Sequence, residues 1–227
     1  MNDKERVAKH AANLVQSGML VGLGTGSTAN CFIEELARLR KNEGLQVTVV
    51  ASSVVSMLKA RSLGLPLMAI EQLQQLDLYV DGADEVAPDN ALLKGQGSDL
   101  VKEKILARSS RQFIVLVDQS KMVERIGEKF AIPIEVMPFA WQLVKLQLEK
   151  LGGKGELRQN GNGLAISSYG SLILDMTFPK QLDCGQIDSM LNELSGVVEH
   201  GVFYGLVSTV LLAENGGVKE IVTPKSV

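Results

Sequence analysis

Aromatic side chains make up only 4% of this 227-residue sequence, so its core must rest on Leu, Val, Ile, Ala and Met. Cysteine and histidine are scarcer still, at two each. Cys31 and Cys184 have neither metal-site nor disulfide-framework spacing, which points to buried, inert thiols in a reducing cytoplasm. His10 and His200 are too few and too far apart for a metal cluster, so chemistry without metal or cofactor is the expectation. The net charge is −3 and no basic run interrupts it, which argues against nucleic acid as a partner. No apolar run reaches membrane-spanning length, and the N-terminal "MNDKERVAKHAANLV" lacks the apolar stretch of a signal peptide. A cytoplasmic chain without a membrane partner is expected.

What is present is ordinary for a folded protein: 45% hydrophobic and 22% charged residues. The length allows one sizeable core and a second, smaller domain. Over roughly the first 130 residues, strand and helix signals alternate. Val7, Ala11 and Leu14 recur at helical spacing before Gly18, and Phe32, Ile33, Leu36 and Leu39 form the apolar face of a second helix. "MLVGLG", "QVTVVAS", "LPLMAI", "LDLYVD" and "QFIVLVD" read as short strands buried on both faces. Together they predict an open, mostly parallel, Rossmann-like α/β sheet flanked by helices.

From Ile132 the order changes to "IPIEVMP", a helix "FAWQLVKLQLEKLGG", strands "KGELRQ" and "SLILDMTF", a helix "CGQIDSMLNELSG" and a strand "VVEHGVF". That βαββαβ order predicts a ferredoxin-like module. "LVSTVLLAE" and "VKEIVTP" return to the first domain. The expected division is therefore 1–130 plus 206–227 for the α/β domain, with 131–205 inserted.

The first strand runs into "GLGTGSTAN" at residues 22–30. A strand–glycine loop–helix unit aims backbone N–H groups at an anion, and Thr25, Ser27 and Thr28 add hydroxyls, one of which is expected to cap the helix. The nucleotide P-loop is excluded, because no Gly-Lys-Ser/Thr follows. The dinucleotide fingerprint fails at Ser27, where it needs glycine, and no ribose-binding acid follows. On its own the loop is either an anion site or simply a turn.

"DLYVDGADEV" places Asp81 at a strand's carboxyl end, where open parallel sheets bind ligands, with Asp84 beyond Gly82 and Ala83. The bland alternative is an Asp-Gly turn in which Asp84 and Glu85 are solvated. In "LLKGQGSDLVKEK", Ser98 can cap a helix that turns Leu100, Val101 and Ile105 inward, with Glu103 one turn in. Taken singly, Glu103, Lys94 and Lys121 are ordinary surface charges. Taken together, a glycine cradle, two aspartates, a lysine-glycine turn, a glutamate and a further lysine can bind an anionic substrate and move protons without metal.

"GLGTGSTA", "YVDGADEV", "KGQGSDLVKEK" and "PIEVMPFAW", in this order, resemble the A-type ribose-5-phosphate isomerases, with agreement in spacing through the module to "GVKEIV". The resemblance implies an aldose–ketose isomerase of the pentose phosphate pathway, acting on D-ribose 5-phosphate and D-ribulose 5-phosphate through an enediolate. It implies Glu103 as the base, Asp81 for ring opening and proton exchange, and Asp84 with Lys94 at the O1/O2 end. Thr25, Gly26, Ser27 and Thr28, with Gly82, Ala83, Gly95, Gln96, Gly97, Lys121 and Lys4, would hold the substrate and its phosphate. A homodimer or homotetramer is implied as well.

The pattern departs at Gln96, where the family has glycine, and at Asp99, where it has a small residue. Asp99 lies either at i,i+4 to Glu103 on one helix or at the helix start. "SSYGSLILD" also lacks the family's usual Asn-Gly-Asn. The alternatives are a paralogue for another phosphosugar, a non-catalytic sugar-phosphate sensor, and an acyl-CoA transferase. The last needs a CoA surface that the sequence does not reveal.

Overall fold

A computed structural model describes residues 2–223. In chain order they form α1 (Asp3–Ala12), β1 (Leu20–Leu23), α2 (Ser27–Glu43), β2 (Thr48–Ala51), α3 (Val54–Ser62) and β3 (Leu76–Gly82). Short strands β4 (Glu85–Val86) and β5 (Leu92–Leu93) precede α4 (Leu100–Ser109) and β6 (Ser110–Asp118). Then come β7 (Ile132–Val136), α5 (Trp141–Lys150), β8 (Lys154–Leu157), β9 (Gln159–Asn160), β10 (Gly163–Leu164) and β11 (Leu172–Thr177). The last elements are α6 (Cys184–Glu193), β12 (Val197–His200), β13 (Val202–Phe203), β14 (Thr209–Glu214) and β15 (Gly217–Val222). Among the described residues, no helix is long and apolar enough to cross a membrane.

The chain divides into two units. The first comprises Met1–Ala83, Lys102–Lys121 and Leu206–Val227. Its six-stranded sheet has the order β15-β14-β6-β3-β1-β2, and every pairing is parallel except β14 with β15. The five parallel strands thus follow the doubly wound order in which β1 and β3 flank the point where the winding reverses, and ligands bind beyond the strand ends there. Phe32, Ile33 and Leu36 of α2 are fully buried against Val21, Leu23, Val80 and Leu116, each contributing about 1.5–3 kcal/mol of burial.

Two local expectations fail in this unit. "LPLMAI" makes only an isolated bridge between Leu67 and Val49, and a one-turn 3₁₀ helix at Ile70–Gln72 follows it. Pro66 offers no N–H for a ladder, although its carbonyl accepts from Val49 N–H at 2.8 Å. On α4, Ile105 is 46% exposed, whereas Leu100, Glu103, Lys104 and Ala107 are buried. The buried stripe follows i, i+3, i+4, i+7 spacing but includes two charged residues, so aliphatic positions alone mistook its direction.

The second unit comprises Asp84–Val101 and Met122–Gly205. Its four-stranded antiparallel sheet has the order β12-β7-β11-β8, the ferredoxin-like arrangement, with Ile134, Val144, Leu148, Leu174 and Leu191 in its core. The boundary differs from the expected 131, since 84–101 and 122–130 also fall in this unit. β5 pairs with β4 and β13, and the buried Glu85 carboxylate accepts from the N–H groups of Gly127, Lys129 and Phe130 at 2.6, 2.7 and 2.8 Å. Glu85 is therefore a structural anchor and not a solvated charge. Cys31 and Cys184 are free, but neither is fully buried. Cys31 lies four residues past the exposed Ser27 on α2, and partial burial pushes its thiol up.

Candidate active site

In the first unit the site begins where β1 ends. Gly24 N–H donates to Val80 O at 2.9 Å, drawing the loop against β3. Only glycine fits at this position, because a Cβ there would overlap the Asp81 carboxylate. The N-cap of α2 is Gly26 at φ 111°, a left-handed region suited to glycine, and no side chain caps the helix. The expectation that Thr25, Ser27 or Thr28 caps it therefore fails, and Thr25 is used elsewhere: its Oγ1 lies 2.9 Å from Ser52 Oγ and donates to Ser53 Oγ at 2.7 Å. The first-turn N–H groups of α2 thus have no capping side chain, the arrangement in which helix N-termini in general accept anions.

Lys4, from α1, donates to Ser27 Oγ at 2.8 Å. Lys121 ends the 3₁₀ turn Gln119–Lys121 after β6. The carboxyl of Asp118 is held below its ordinary range by the Ser120 hydroxyl first, and also by the charges of Lys121 and Lys4. Both lysines therefore lie within electrostatic reach of Asp118, a residue the sequence reading passed over.

Asp81 is fully buried at the end of β3. Its Oδ1 accepts from Thr25 N–H at 3.1 Å and from Gly82 N–H at 2.7 Å, and its Oδ2 accepts from Tyr79 Oη at 2.5 Å. Burial pushes the Tyr79 hydroxyl well above its ordinary range, and the charges of Asp81 and then Glu103 reinforce this. Tyr79 therefore stays a neutral donor through the neutral pH range. Glu103 is 7% exposed, so it is not a solvated helix glutamate. Tyr79, Ser52 and Ser53 were missed from sequence; the hydroxyl run "ASSVVS" after a strand was the one available signal.

The second unit carries the remaining candidates. Asp84 N–H donates to Leu93 O at 2.8 Å, and Asp84 Oδ2 accepts from Gln96 N–H at 3.3 Å. Lys94 is 4% exposed; its N–H donates to Gly201 O at 2.9 Å and its ammonium sits 5.7 Å from the Phe203 ring centroid, within cation–π range. Gly95 turns at φ 95°, where a Cβ would meet Leu100. Gln96 is exposed and its φ is not in the left-handed region, so the family's glycine is not required there. Asp99 precedes α4, at the helix start, and accepts from Ser168 Oγ at 2.6 Å. Ser98 does not stand next to the helix as a cap; its Oγ accepts from Arg158 at 3.2 Å.

These features define a class, a doubly wound α/β protein with a glycine loop and buried carboxylates at its winding switch. The sequence profile of ribose 5-phosphate isomerase A (phosphoriboisomerase A) matches residues 48–217. A Synechococcus sp. protein named ribose-5-phosphate isomerase A is 42% identical over 217 residues, 94% of either chain. The solved ribose 5-phosphate isomerase A of Methanocaldococcus jannaschii is 37% identical, with a TM-score of 0.90 over 96% of this chain and 97% of its own. A D-ribose-5-phosphate isomerase solved with phospho-erythronic acid is 34% identical, with a TM-score of 0.92 over 98% of this chain and all of its own. The chain belongs to the ribose 5-phosphate isomerase A family.

Proposed function

We propose that this chain interconverts D-ribose 5-phosphate and D-ribulose 5-phosphate in the pentose phosphate pathway, as a cytoplasmic aldose–ketose isomerase. The observation that carries this reading is the burial of Glu103 within electrostatic reach of the Tyr79 hydroxyl, to which Asp81 is bonded. Glu103 takes the proton from C2, the C–H pair becomes the C1–C2 double bond of an enediolate as the C1 carbonyl pair moves onto O1, and, with the O2 proton passed to O1, the proton returns at C1 to leave the ketone at C2. Asp81 opens the ring and exchanges protons at the sugar oxygens. Asp84 and Lys94 serve the O1/O2 end, where the ammonium offsets developing negative charge. Thr25, Gly26, Ser27, Thr28, Lys4 and Lys121 hold the phosphate, and Gly82, Ala83, Gly95, Gln96 and Gly97 position the sugar. Binding energy from the phosphate orients a reacting end that offers little grip of its own.

Purified protein in EDTA should form ribulose 5-phosphate from ribose 5-phosphate, and a rate no higher than background would reject the reading. An assay across several aldose phosphates separates it from a paralogue for another phosphosugar. A buried base favours catalysis over sensing. Phospho-erythronic acid carries a planar carboxylate that imitates the enediolate, so it should bind about 100-fold more tightly than substrate, or better. Assembly with further copies is supported by Phe139, 84% exposed, and by Leu143 and Leu146 along α5; light scattering after gel filtration tests it.

A further inference from the structure

The 94–98 turn bends through two left-handed positions, Gly95 at φ 95° and Ser98 at φ 65°. Glycine adopts such a φ freely, but at Ser98 it is strained, and strain of this kind persists only where the surroundings over-determine the backbone. Within the second unit, the group that does so is Arg158, just past β8. Its main chain is tied on both sides, by its N–H to Ile173 O at 2.8 Å and by its carbonyl accepting from Ala165 N–H at 2.9 Å. Its guanidinium forks onto Asp175 of β11, Nε to Oδ2 at 2.8 Å and Nη2 to Oδ1 at 2.6 Å. The remaining nitrogen, Nη1, donates to Gly95 O at 3.0 Å, Gln96 O at 3.1 Å and Ser98 Oγ at 3.2 Å.

A trans peptide is planar, with its carbonyl and N–H on opposite sides. Holding the carbonyls of Gly95 and Gln96 toward Arg158 therefore turns the N–H groups of Gln96 and Gly97 the other way. The Gln96 N–H does point to Asp84 Oδ2 at 3.3 Å. The 95–96 peptide is thus clasped between a cation on its carbonyl and a carboxylate on its N–H, and the charge on Arg158 polarises it.

We infer that Arg158, locked by Asp175, is a positioning residue for the isomerisation: it aims the Gly97 N–H at the reacting end of the sugar and, through the Gln96 N–H, holds the Asp84 carboxylate there. The inference rests on the reading that the 94–97 turn meets the substrate. Arg158 does not touch substrate; it acts by holding two peptide planes.

The test compares full-length wild type with Arg158→Lys, Arg158→Met and Asp175→Asn. It reads kcat and KM for ribose 5-phosphate, inhibition by inorganic phosphate, and melting temperature. A lysine keeps the charge but cannot hold the fork and the turn together. Both Arg158 variants should lose about tenfold or more in kcat, as expected when a charged hydrogen bond is removed. Asp175→Asn should fall in the same direction. The inhibition constant for phosphate, which depends on the 25–28 loop and the lysines of the first unit, should stay within about twofold. A kcat within about twofold of wild type in Arg158→Lys overturns the inference. Parallel loss of kcat, phosphate inhibition and melting temperature also overturns it, since that marks a purely structural role. Wild type without turnover would instead reject the isomerase reading itself, and the inference with it.

Discussion

Tyr79→Phe removes one hydroxyl from the candidate active site, and with it the donor to Asp81. The ring is fully buried and stacks on Phe113 at 4.8 Å between centroids, a contact phenylalanine keeps. The substitution therefore opens a void no larger than a hydroxyl; Asp81 Oδ2 loses a donor at 2.5 Å, and the Ser52 hydroxyl loses its bond to Tyr79 as well. A hydrogen bond to a buried charge is worth about 1.5–3 kcal/mol. For a chain of this length, a loss near the middle of that range lowers the melting temperature by about 4–8 °C. The same loss, if carried into the transition state through a misplaced Asp81, lowers kcat/KM by about 10–100-fold. Thermal denaturation and initial-rate kinetics on ribose 5-phosphate measure the two effects separately. If Tyr79→Phe melts with wild type and keeps its kcat/KM, Tyr79 does not anchor Asp81.

Three further outcomes follow from the geometry. Glu103→Gln should lose most of kcat while inorganic phosphate still inhibits competitively in the residual activity; an unchanged kcat removes Glu103 from its role as base. Gly24→Ala forces a Cβ into the Asp81 carboxylate, so it should abolish turnover and destabilise the fold by more than about 2 kcal/mol; a stable, active variant would show that the loop can retreat from β3. Burial raises the carboxyl pKa of Glu135 on β7 above its ordinary 4.5, against the opposing hydroxyls of Ser167 and Ser171. Between 4.5 and the raised value the folded chain holds a proton that the unfolded chain has released, so stability falls as pH rises through that window and then levels. Urea denaturation should show Glu135→Gln gaining on wild type across the same window, and a difference independent of pH would refute the assignment.

Much of the architecture could be read from local pattern. Apolar strands ending in glycine or aspartate, and helices whose inward faces are aliphatic, announced the parallel sheet and the βαββαβ module. Phe32, Ile33, Leu36 and Leu39 repeat at a period that leaves one face to bury, whatever the partner. Gly22, Gly24, Gly26 and Gly95 were visible because close approach or positive φ demands the one residue without a Cβ.

Charge inside the fold was another matter. Asp84 and Glu85 are adjacent and chemically alike, yet Glu85 is sealed by three N–H groups more than 40 residues further along the chain, while Asp84 faces the Gln96 peptide. Along α4, Glu103 and Lys104 occupy the buried stripe that a reading of aliphatics gave to Ile105. Tyr79 passed for one more apolar strand residue until folding set its hydroxyl against Asp81. Periodicity and backbone geometry are properties of a few neighbouring residues, so a linear string carries them. Whether a polar group is solvated, merely satisfied or poised to react depends on donors and charges from distant segments, and those meet only once the chain has closed on itself.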